Sequence, residues 1–156
     1  MSQRFGSHRF TSRLAAACFA VAAVLPALVP QDAGAQEQAK APALTIELNA
    51  LQPSERGCRF TFIATNNLGG ELSRAAFELV LFDTEGKVSR LTVVDFKDLP
   101  QGKTKVRQFD FSGLDCTKVG RVLVNDSTEC AGPGVDAKAC IQRLETKTLT
   151  DAVFGI

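Results

Sequence analysis

The sequence predicts a single antiparallel β-sandwich of about seven strands that carries two disulfides. Two observations predict the strands: short apolar stretches alternate with a period of two, and turn residues follow each of them. The connections between these stretches are mostly short, which favours antiparallel pairing. A third observation predicts the disulfides, because four cysteines remain once an N-terminal leader is removed.

Residues 1–35 have the features of a cleavable bacterial-type signal peptide. A start that carries arginines and no acid is followed by an apolar stretch at 14–29, and Ala33 and Ala35 then precede Gln36. This is the order of features that a signal peptidase reads. The apolar stretch is shorter than the roughly 20 residues of a membrane span. We therefore expect a periplasmic or secreted protein with no stable membrane span after cleavage.

The remaining chain is long enough for one domain. Removing residues 1–35 from the 156 leaves 121, a usual domain length. Residues 36–43 are polar and rich in alanine, which is typical of a flexible tether, and residues 44–156 form the expected sandwich domain. Of 18 Lys and Arg and 17 Asp and Glu, three Arg and one Asp lie in the leader, which leaves 15 basic and 16 acidic residues. A net charge of about −1 gives no basic footprint for nucleic acid.

Six stretches alternate between apolar and polar residues in the manner of strands. They are residues 44–50, 58–65, 75–82, 88–96, 103–111 and 121–126. Sequences rich in Asn, Gly, Asp and Pro separate several of them, at 66–70, 83–86 and 99–102.

The last part of the domain has a different pattern. Residues 136–144 place Cys140, Ile141 and Leu144 at helical spacing behind Asp136, which is a suitable capping residue. A short helical turn is therefore expected here, and a final strand is expected at 146–154.

Four cysteines remain after the leader: Cys58, Cys116, Cys130 and Cys140. An even number in an exported domain most often forms disulfides. The gaps of 58, 14 and 10 residues are not the spacing of a metal site, and the single histidine lies in the leader. We expect two disulfides, no metal and no cofactor.

Strand direction predicts which cysteines pair. If the strands alternate up and down, Cys58 at the start of the second strand and Cys116 after the fifth lie at the same end. Cys130 after the sixth strand and Cys140 before the last segment lie at the other end. A sandwich is roughly 20 Å deep along its strands, whereas bridged Cα atoms lie within about 7 Å. The expected pairs are Cys58–Cys116 and Cys130–Cys140.

Composition excludes much catalytic chemistry from the mature chain. Without histidine there is no Ser-His-Asp or Cys-His system and no His-ligated metal. Tryptophan and tyrosine, which commonly supply flat contact area in binding grooves, are also absent. What survives is a carboxylate pair or a Ser/Lys dyad, and the candidate carboxylate pairs are Asp83 with Glu85 and Asp95 with Asp98. Both pairs flank turns, where carboxylates commonly stabilise the turn and face water. We therefore expect no enzyme.

A basic stripe and an apolar strand face are the candidate interaction residues. Lys103, Lys105 and Arg107 share one side of a strand, where such charges commonly protect a sheet edge. The alternative is contact with an acidic envelope polymer or lipid headgroups. Phe109 and Phe111 continue the same parity, so either a bulge intervenes or the stripe turns inward.

On residues 75–82 both parities are apolar, with Val80 and Phe82 on the second side, and Ile63 lies on the second side of the preceding strand. A solvated sheet face normally carries polar residues there. The second side is therefore either covered by the tail or the last segment, or it is a partner-binding or dimer patch.

The order of strands and turns in the middle of the chain resembles that of a known family. An apolar alternation ending in residues 79–83, a turn at 85–86 and a turn at 99–102 before another strand resemble the FxLYD-type immunoglobulin-like domains of bacterial envelope proteins. The chain has Leu79 and Phe82 where that motif has Phe and Tyr. The resemblance covers about residues 46–124 and implies an immunoglobulin-like sandwich.

Residues 58–62 and 102–110 are also similar to a group of short exported alphaproteobacterial proteins. That resemblance implies compartment and fold, and no function. Together these observations predict an exported, non-enzymatic binding or adaptor domain whose partner is an envelope protein or an acidic envelope polymer. The alternatives are a carboxylate-dependent enzyme and a structural or stress-protective envelope factor, and the oligomeric state stays open.

The leader predicts the N-terminus of the exported protein. Because Ala33 and Ala35 occupy the positions that signal peptidase reads, the mature chain is expected to begin at Gln36. Intact-mass measurement of the exported protein tests this. A mass that retains residues 1–35, or one that includes acyl groups, would contradict it.

Overall fold

The computed structural model describes residues 41–156, which form two four-stranded sheets packed face to face. The strands are β1 (Ala43–Ser54), β2 (Gly57–Asn67), β3 (Leu72–Asp83), β4 (Val88–Leu99), β5 (Thr104–Ser112), β6 (Val119–Ala131), β7 (Leu144–Thr148) and β8 (Val153–Gly155). A 3₁₀ turn at Cys116–Lys118 precedes β6, and a short helix, α1 (Ala139–Gln142), precedes β7. The predicted all-β sandwich with one short helical segment is confirmed.

The predicted signal peptide at 1–35 and most of the tether at 36–43 lie outside the described residues. Within residues 41–156, no helix is long and apolar enough to cross a membrane.

The first sheet has the order β5-β2-β1-β7 and the second has the order β4-β3-β6-β8. Six of the eight strands pair in antiparallel fashion, whereas β7 joins β1 and β8 joins β6 in parallel. The strand predicted at 146–154 is thus two strands, one in each sheet, and the total is eight rather than about seven. The chain crosses between the sheets at 149–152, where the Thr148 hydroxyl accepts the Thr150 amide at 3.1 Å and forms a turn.

Aromatic rings from both sheets meet in the core. Phe96 of β4 lies 5.7 Å from Phe62 of β2 and 5.8 Å from Phe77 of β3, measured between ring centroids. Phe109 of β5 lies 5.6 Å from Phe96, and Phe154 of β8 lies 5.7 Å from Phe62. Burying such rings supplies most of the hydrophobic stabilisation of a small sandwich. Burial of these rings determines which side of each strand faces the core and which side faces outward.

Both disulfides join the pairs predicted from strand direction. Cys58 bonds Cys116 with a Cα separation of 5.1 Å, and Cys130 bonds Cys140 with a separation of 5.8 Å. Cys58 belongs to the first sheet, whereas Cys116 lies just before β6 of the second; Cys130 lies near the end of β6, whereas Cys140 lies just before β7 of the first. Each disulfide therefore ties one sheet to the other, at opposite ends of the sandwich.

The two disulfides are expected to differ in their effect on stability. Chain-entropy estimates give about 4 kcal/mol for the loop of 58 residues and about 2.7 kcal/mol for the loop of 10. A Cys58→Ala/Cys116→Ala variant is therefore expected to lose more unfolding free energy in urea than a Cys130→Ala/Cys140→Ala variant. Cys130 and Cys140 are both buried, whereas Cys116 is partly exposed. Burial alone would therefore favour the opposite order, and a larger loss at Cys58–Cys116 reports on the loop. Equal losses, or a larger loss at Cys130–Cys140, would contradict the estimate.

Candidate functional site

The outer surface of the second sheet carries a cluster of apolar side chains from three adjacent strands. The pairing register places Leu91 of β4, Val80 of β3 and Leu123 of β6 side by side. Phe82 and Val93 flank this row on the same side of the sheet, since residues two apart on a strand share a face. We call these five residues the outer apolar face.

Solvent reaches this face mainly at β4. Leu91 and Val93 are 59% and 55% exposed, and Val88 at the start of the same strand is 57% exposed. Val80 is only 6% exposed, because β4 and β6 flank it on both sides. An antiparallel sheet that turns one face to water normally carries polar residues there. A contiguous exposed apolar surface is a recognised mark of an interaction site.

Polar groups border the outer apolar face. The guanidinium carbon of Arg121 lies 5.4 Å from the centre of the Phe82 ring, in cation–π contact. On the other side, Asn125 donates a hydrogen bond of 2.6 Å to the Glu78 carboxylate. An apolar centre with a polar border is the usual organisation of a protein–protein interface.

Beyond Glu78 the same surface is ionic. Arg74 of β3 lies 3.0 Å from carboxylate oxygens of both Asp95 on β4 and Glu129 on β6, so it links three strands. Lys97 donates to Asp95 through its ammonium group at 2.7 Å and its main-chain amide at 2.8 Å. The side-chain hydrogen bond from Lys97, with help from Arg74, lowers the pKa of Asp95 to about 2 although burial opposes the shift.

The four carboxylates singled out in the sequence take part in turns or ion pairs. Asp83 accepts the main-chain amide of Glu85 at 2.9 Å, and Glu85 itself pairs with a neighbouring lysine. Asp95 belongs to the cluster just described. Asp98 accepts a hydrogen bond of 2.6 Å from Lys105, which lowers the pKa of Asp98. Lys87 bonds both Asp83, through its amide, and Glu85, through its ammonium group, within one turn. Asp95 and Asp98 are paired with different cations.

The apolar residues of the predicted interaction patch lie on opposite sides of the sandwich. Val80 and Phe82 belong to the outer apolar face of the second sheet. Ile63 lies on the outer surface of the first sheet, between Glu47 and Val106. Two packed sheets are about 10 Å apart, so the structure does not bring Ile63 together with the other two.

The basic residues of the patch lie at the open side of the sandwich, where β4 and β5 are the edge strands. Lys105 and Arg107 point towards β4: Lys105 pairs with Asp98 at 2.6 Å, and Arg107 donates to the main-chain oxygen of Phe96 at 2.8 Å. Lys103 is exposed in the turn before β5. The stripe turns inward, which accounts for its sharing a parity with the buried Phe111.

Sequence reasoning did not identify three residues of the outer apolar face: Leu91, Val93 and Leu123. A signal was present for Leu91 and Val93, because they share one parity of their strand while Val94 and Phe96 are apolar on the other. Leu123 had the same signal, because Val122 and Val124 are apolar on the other parity of its strand. Its position beside Val80 depends on the pairing of β3 with β6, which are far apart in sequence.

Comparison with protein-family models, with curated proteins and with solved structures finds no match to this chain.

The Asp95 cluster is expected to make stability depend on acid pH. Because its pKa is about 2 in the folded protein and about 3.9 in an unfolded chain, ionised Asp95 stabilises the fold above about pH 4. That stabilisation is lost as the pH falls towards 2. Asp95→Asn is expected to cost about 1 kcal/mol at pH 6, since its partners are partly exposed, and the difference from wild type should shrink below pH 4.

Urea unfolding at several pH values measures this difference. Asp151→Asn is the control, because the part of the chain that the structure describes gives this exposed carboxylate no ion pair. A penalty for Asp95→Asn that stays constant from pH 6 to about pH 2 would refute the assignment.

Proposed function

We propose that this protein is an exported, non-enzymatic binding domain that attaches to another envelope protein through the outer apolar face. The observation that carries the proposal is the exposure of Leu91 and Val93, each more than half open to solvent beside the apolar Val80 and Leu123. Covering such a surface removes apolar area from water, which favours association.

The outer surface of the first sheet makes a useful contrast. Its apolar residues Ile63 and Val106 are cross-strand neighbours, but Glu47, Thr65 and Gln108 surround them. This mixture is ordinary for a solvated sheet face. The asymmetry between the two outer surfaces supports the second sheet as the binding side.

Two disulfides indicate a fold made outside the reducing cytoplasm. Together with the leader at 1–35 they support a periplasmic or secreted location, which we include in the proposal. The turn pattern at 83–86 and 99–102 supports the further proposal that the sandwich is immunoglobulin-like.

The alternative partner and the alternative function receive less support. Lys105 and Arg107 are already paired with Asp98 and the Phe96 carbonyl, so two of three predicted cations are not available to an acidic polymer. A carboxylate-dependent enzyme needs two acids held together across a cleft. Asp83 and Glu85 instead belong to one exposed turn with Lys87, and Asp95 and Asp98 are paired with different cations.

A charge placed in the outer apolar face tests the proposal. Three exported, disulfide-bonded proteins are immobilised and exposed to the same envelope extract: the wild type, the Leu91→Asp variant and the Val106→Asp variant. Val106 is the matched control, because it is 55% exposed on an edge strand of the opposite sheet. Leu91→Asp is expected to reduce recovery of specific partners by about tenfold or more, as a charge at the centre of an interface does, whereas Val106→Asp should retain them.

Thermal melts of both variants establish that they are folded. Equal recovery by wild type and Leu91→Asp would refute the role of this face, as would equal losses in both variants.

A further inference from the structure

Strand β4 is an edge strand with unused hydrogen-bonding capacity. It has β3 on one side, and within residues 41–156 no strand pairs with its other side. In an antiparallel pair every second residue turns its amide and carbonyl away from the neighbouring strand. Along Val88–Leu99 these groups form a template to which another extended chain can add.

Across the open side of the sandwich, β4 runs antiparallel to β5 of the other sheet. Arg90 donates to the Ser112 carbonyl at 2.9 Å, Arg107 donates to the Phe96 carbonyl at 2.8 Å, and Lys105 pairs with Asp98. These contacts bridge the sheets at both ends. Between them is a cleft of about 570 Å³ that residues 92–94 and 108–111 help to line.

The two halves of the β4 edge differ in their protection against strand addition. Around Lys97 the register shifts and the backbone is left-handed, with φ at 61°, and Arg107 occupies the Phe96 carbonyl. Bulges and charges of this kind protect natural edges. Residues 88–94 have one register shift, at Ser89 near the start of the strand, and from Arg90 to Val94 they pair regularly with β3. Leu91 and Val93 are exposed in this regular stretch. The less protected half of the edge is thus adjacent to the outer apolar face.

The cleft beside this half has spare positive charge. Asp110 accepts two hydrogen bonds from Arg59, at 3.0 and 3.1 Å. Arg56 is 4.0 Å from the same carboxylate and its side chain is 74% exposed. Arg90 bonds only a carbonyl among the described residues. Glu55 lies beside Arg56, Arg59 and Asp110, so the three arginines exceed the two carboxylates by one charge. The exposed Arg56, together with Arg90, can therefore bind a further carboxylate from a partner.

We infer that an extended segment of the partner protein adds to β4 as a fifth strand of the second sheet, alongside residues 88–94. Its outward side chains would be apolar and continue the row of Leu91 and Val93. Its inward side chains would be acidic and face Arg56 and Arg90 at the mouth of the cleft. The partner segment is thus one in which apolar and acidic residues alternate. This inference rests on the proposed function and specifies the partner's chemistry.

A second copy of this chain fits the edge less well. Two β4 strands paired about a twofold axis would present the same arginines from both copies. The carboxylates that a second β4 strand brings, Asp95 and Asp98, are already paired with lysine and arginine side chains of their own chain. Charge complementarity favours a foreign acidic strand over self-association.

The test uses short synthetic peptides as long as residues 88–94 and the exported, disulfide-bonded protein at low salt. The first peptide alternates valine and glutamate. Three controls alter one feature each: a peptide with the same residues in blocks, one with main-chain N-methyl groups on the valines, and one with lysine for glutamate. Fluorescence anisotropy gives the affinity, and amide chemical shifts locate the bound peptide.

The alternating acidic peptide is expected to bind and to shift the amides of residues 88–94. The N-methylated peptide loses cross-strand hydrogen bonds, and the block peptide loses the alternation of apolar and acidic sides. Both should bind about tenfold more weakly or not at all. Arg56→Glu should weaken binding of the glutamate peptide about fivefold or more and favour the lysine peptide. Val106→Asp should leave binding unchanged.

Several results would overturn the inference. One is the absence of binding up to about 1 mM peptide, and another is an affinity that N-methylation does not change. A third is chemical-shift changes confined to another edge strand. Concentration-dependent shifts of the amides of residues 88–94 without peptide would indicate a second copy as the occupant. Failure of the proposed function is distinguishable. If Leu91→Asp loses its envelope partners but no peptide binds, the face is used without strand addition. If Leu91→Asp keeps its partners, the proposed function fails, and with it the inference that depends on it.

Discussion

Burial of Phe96 between the two sheets determines what β4 presents to solvent. Its ring contacts Phe62 of the first sheet and Phe77 of the second, and it also meets Phe109 from the facing edge strand. Removing a ring from such a cluster leaves a cavity and typically costs about 3–5 kcal/mol. Because side chains alternate along a strand, Phe96 and Val94 facing inward oblige Leu91 and Val93 to face outward. The exposed apolar surface is a consequence of the same packing that stabilises the core.

The open side of the sandwich is closed by polar contacts rather than by apolar packing. Lys105 and Arg107 reach Asp98 and the Phe96 carbonyl, and Arg90 reaches Ser112 at the other end. Exposed pairs of this kind contribute little stability each. They do fix the relative positions of β4 and β5, each of which pairs with only one described strand. The part of β4 between these contacts is the part that combines free main-chain groups with exposed apolar side chains.

The disulfides hold the two sheets together independently of the edges. Cys58–Cys116 and Cys130–Cys140 each connect a segment of the first sheet with a segment of the second, at opposite ends of β6. A small domain with a single core benefits from such cross-links. With the sheets fixed at both ends, an exposed edge such as β4 can remain accessible without loss of the fold.

Period-two alternation and chain direction were sufficient to determine much of this protein from its sequence. The alternation of Phe60 and Phe62, and of Phe77 and Leu79, identified the strands and their buried sides. The up-and-down order of those strands identified both disulfide pairs, because a disulfide requires two cysteines at the same end. Val80 and Phe82 were recognised as apolar residues on an outer side, since that property is local to one strand.

The tertiary structure alone decided how these local features combine. It divided the predicted last strand into β7 and β8 and paired each in parallel with a strand far away in the chain. It turned Lys105 and Arg107 inward, and it placed Leu91, Val80 and Leu123 in one row while leaving Ile63 on the opposite sheet. The physical reason is that alternation depends on neighbours along the chain, whereas strand order depends on long-range pairing and on which side chains share the core.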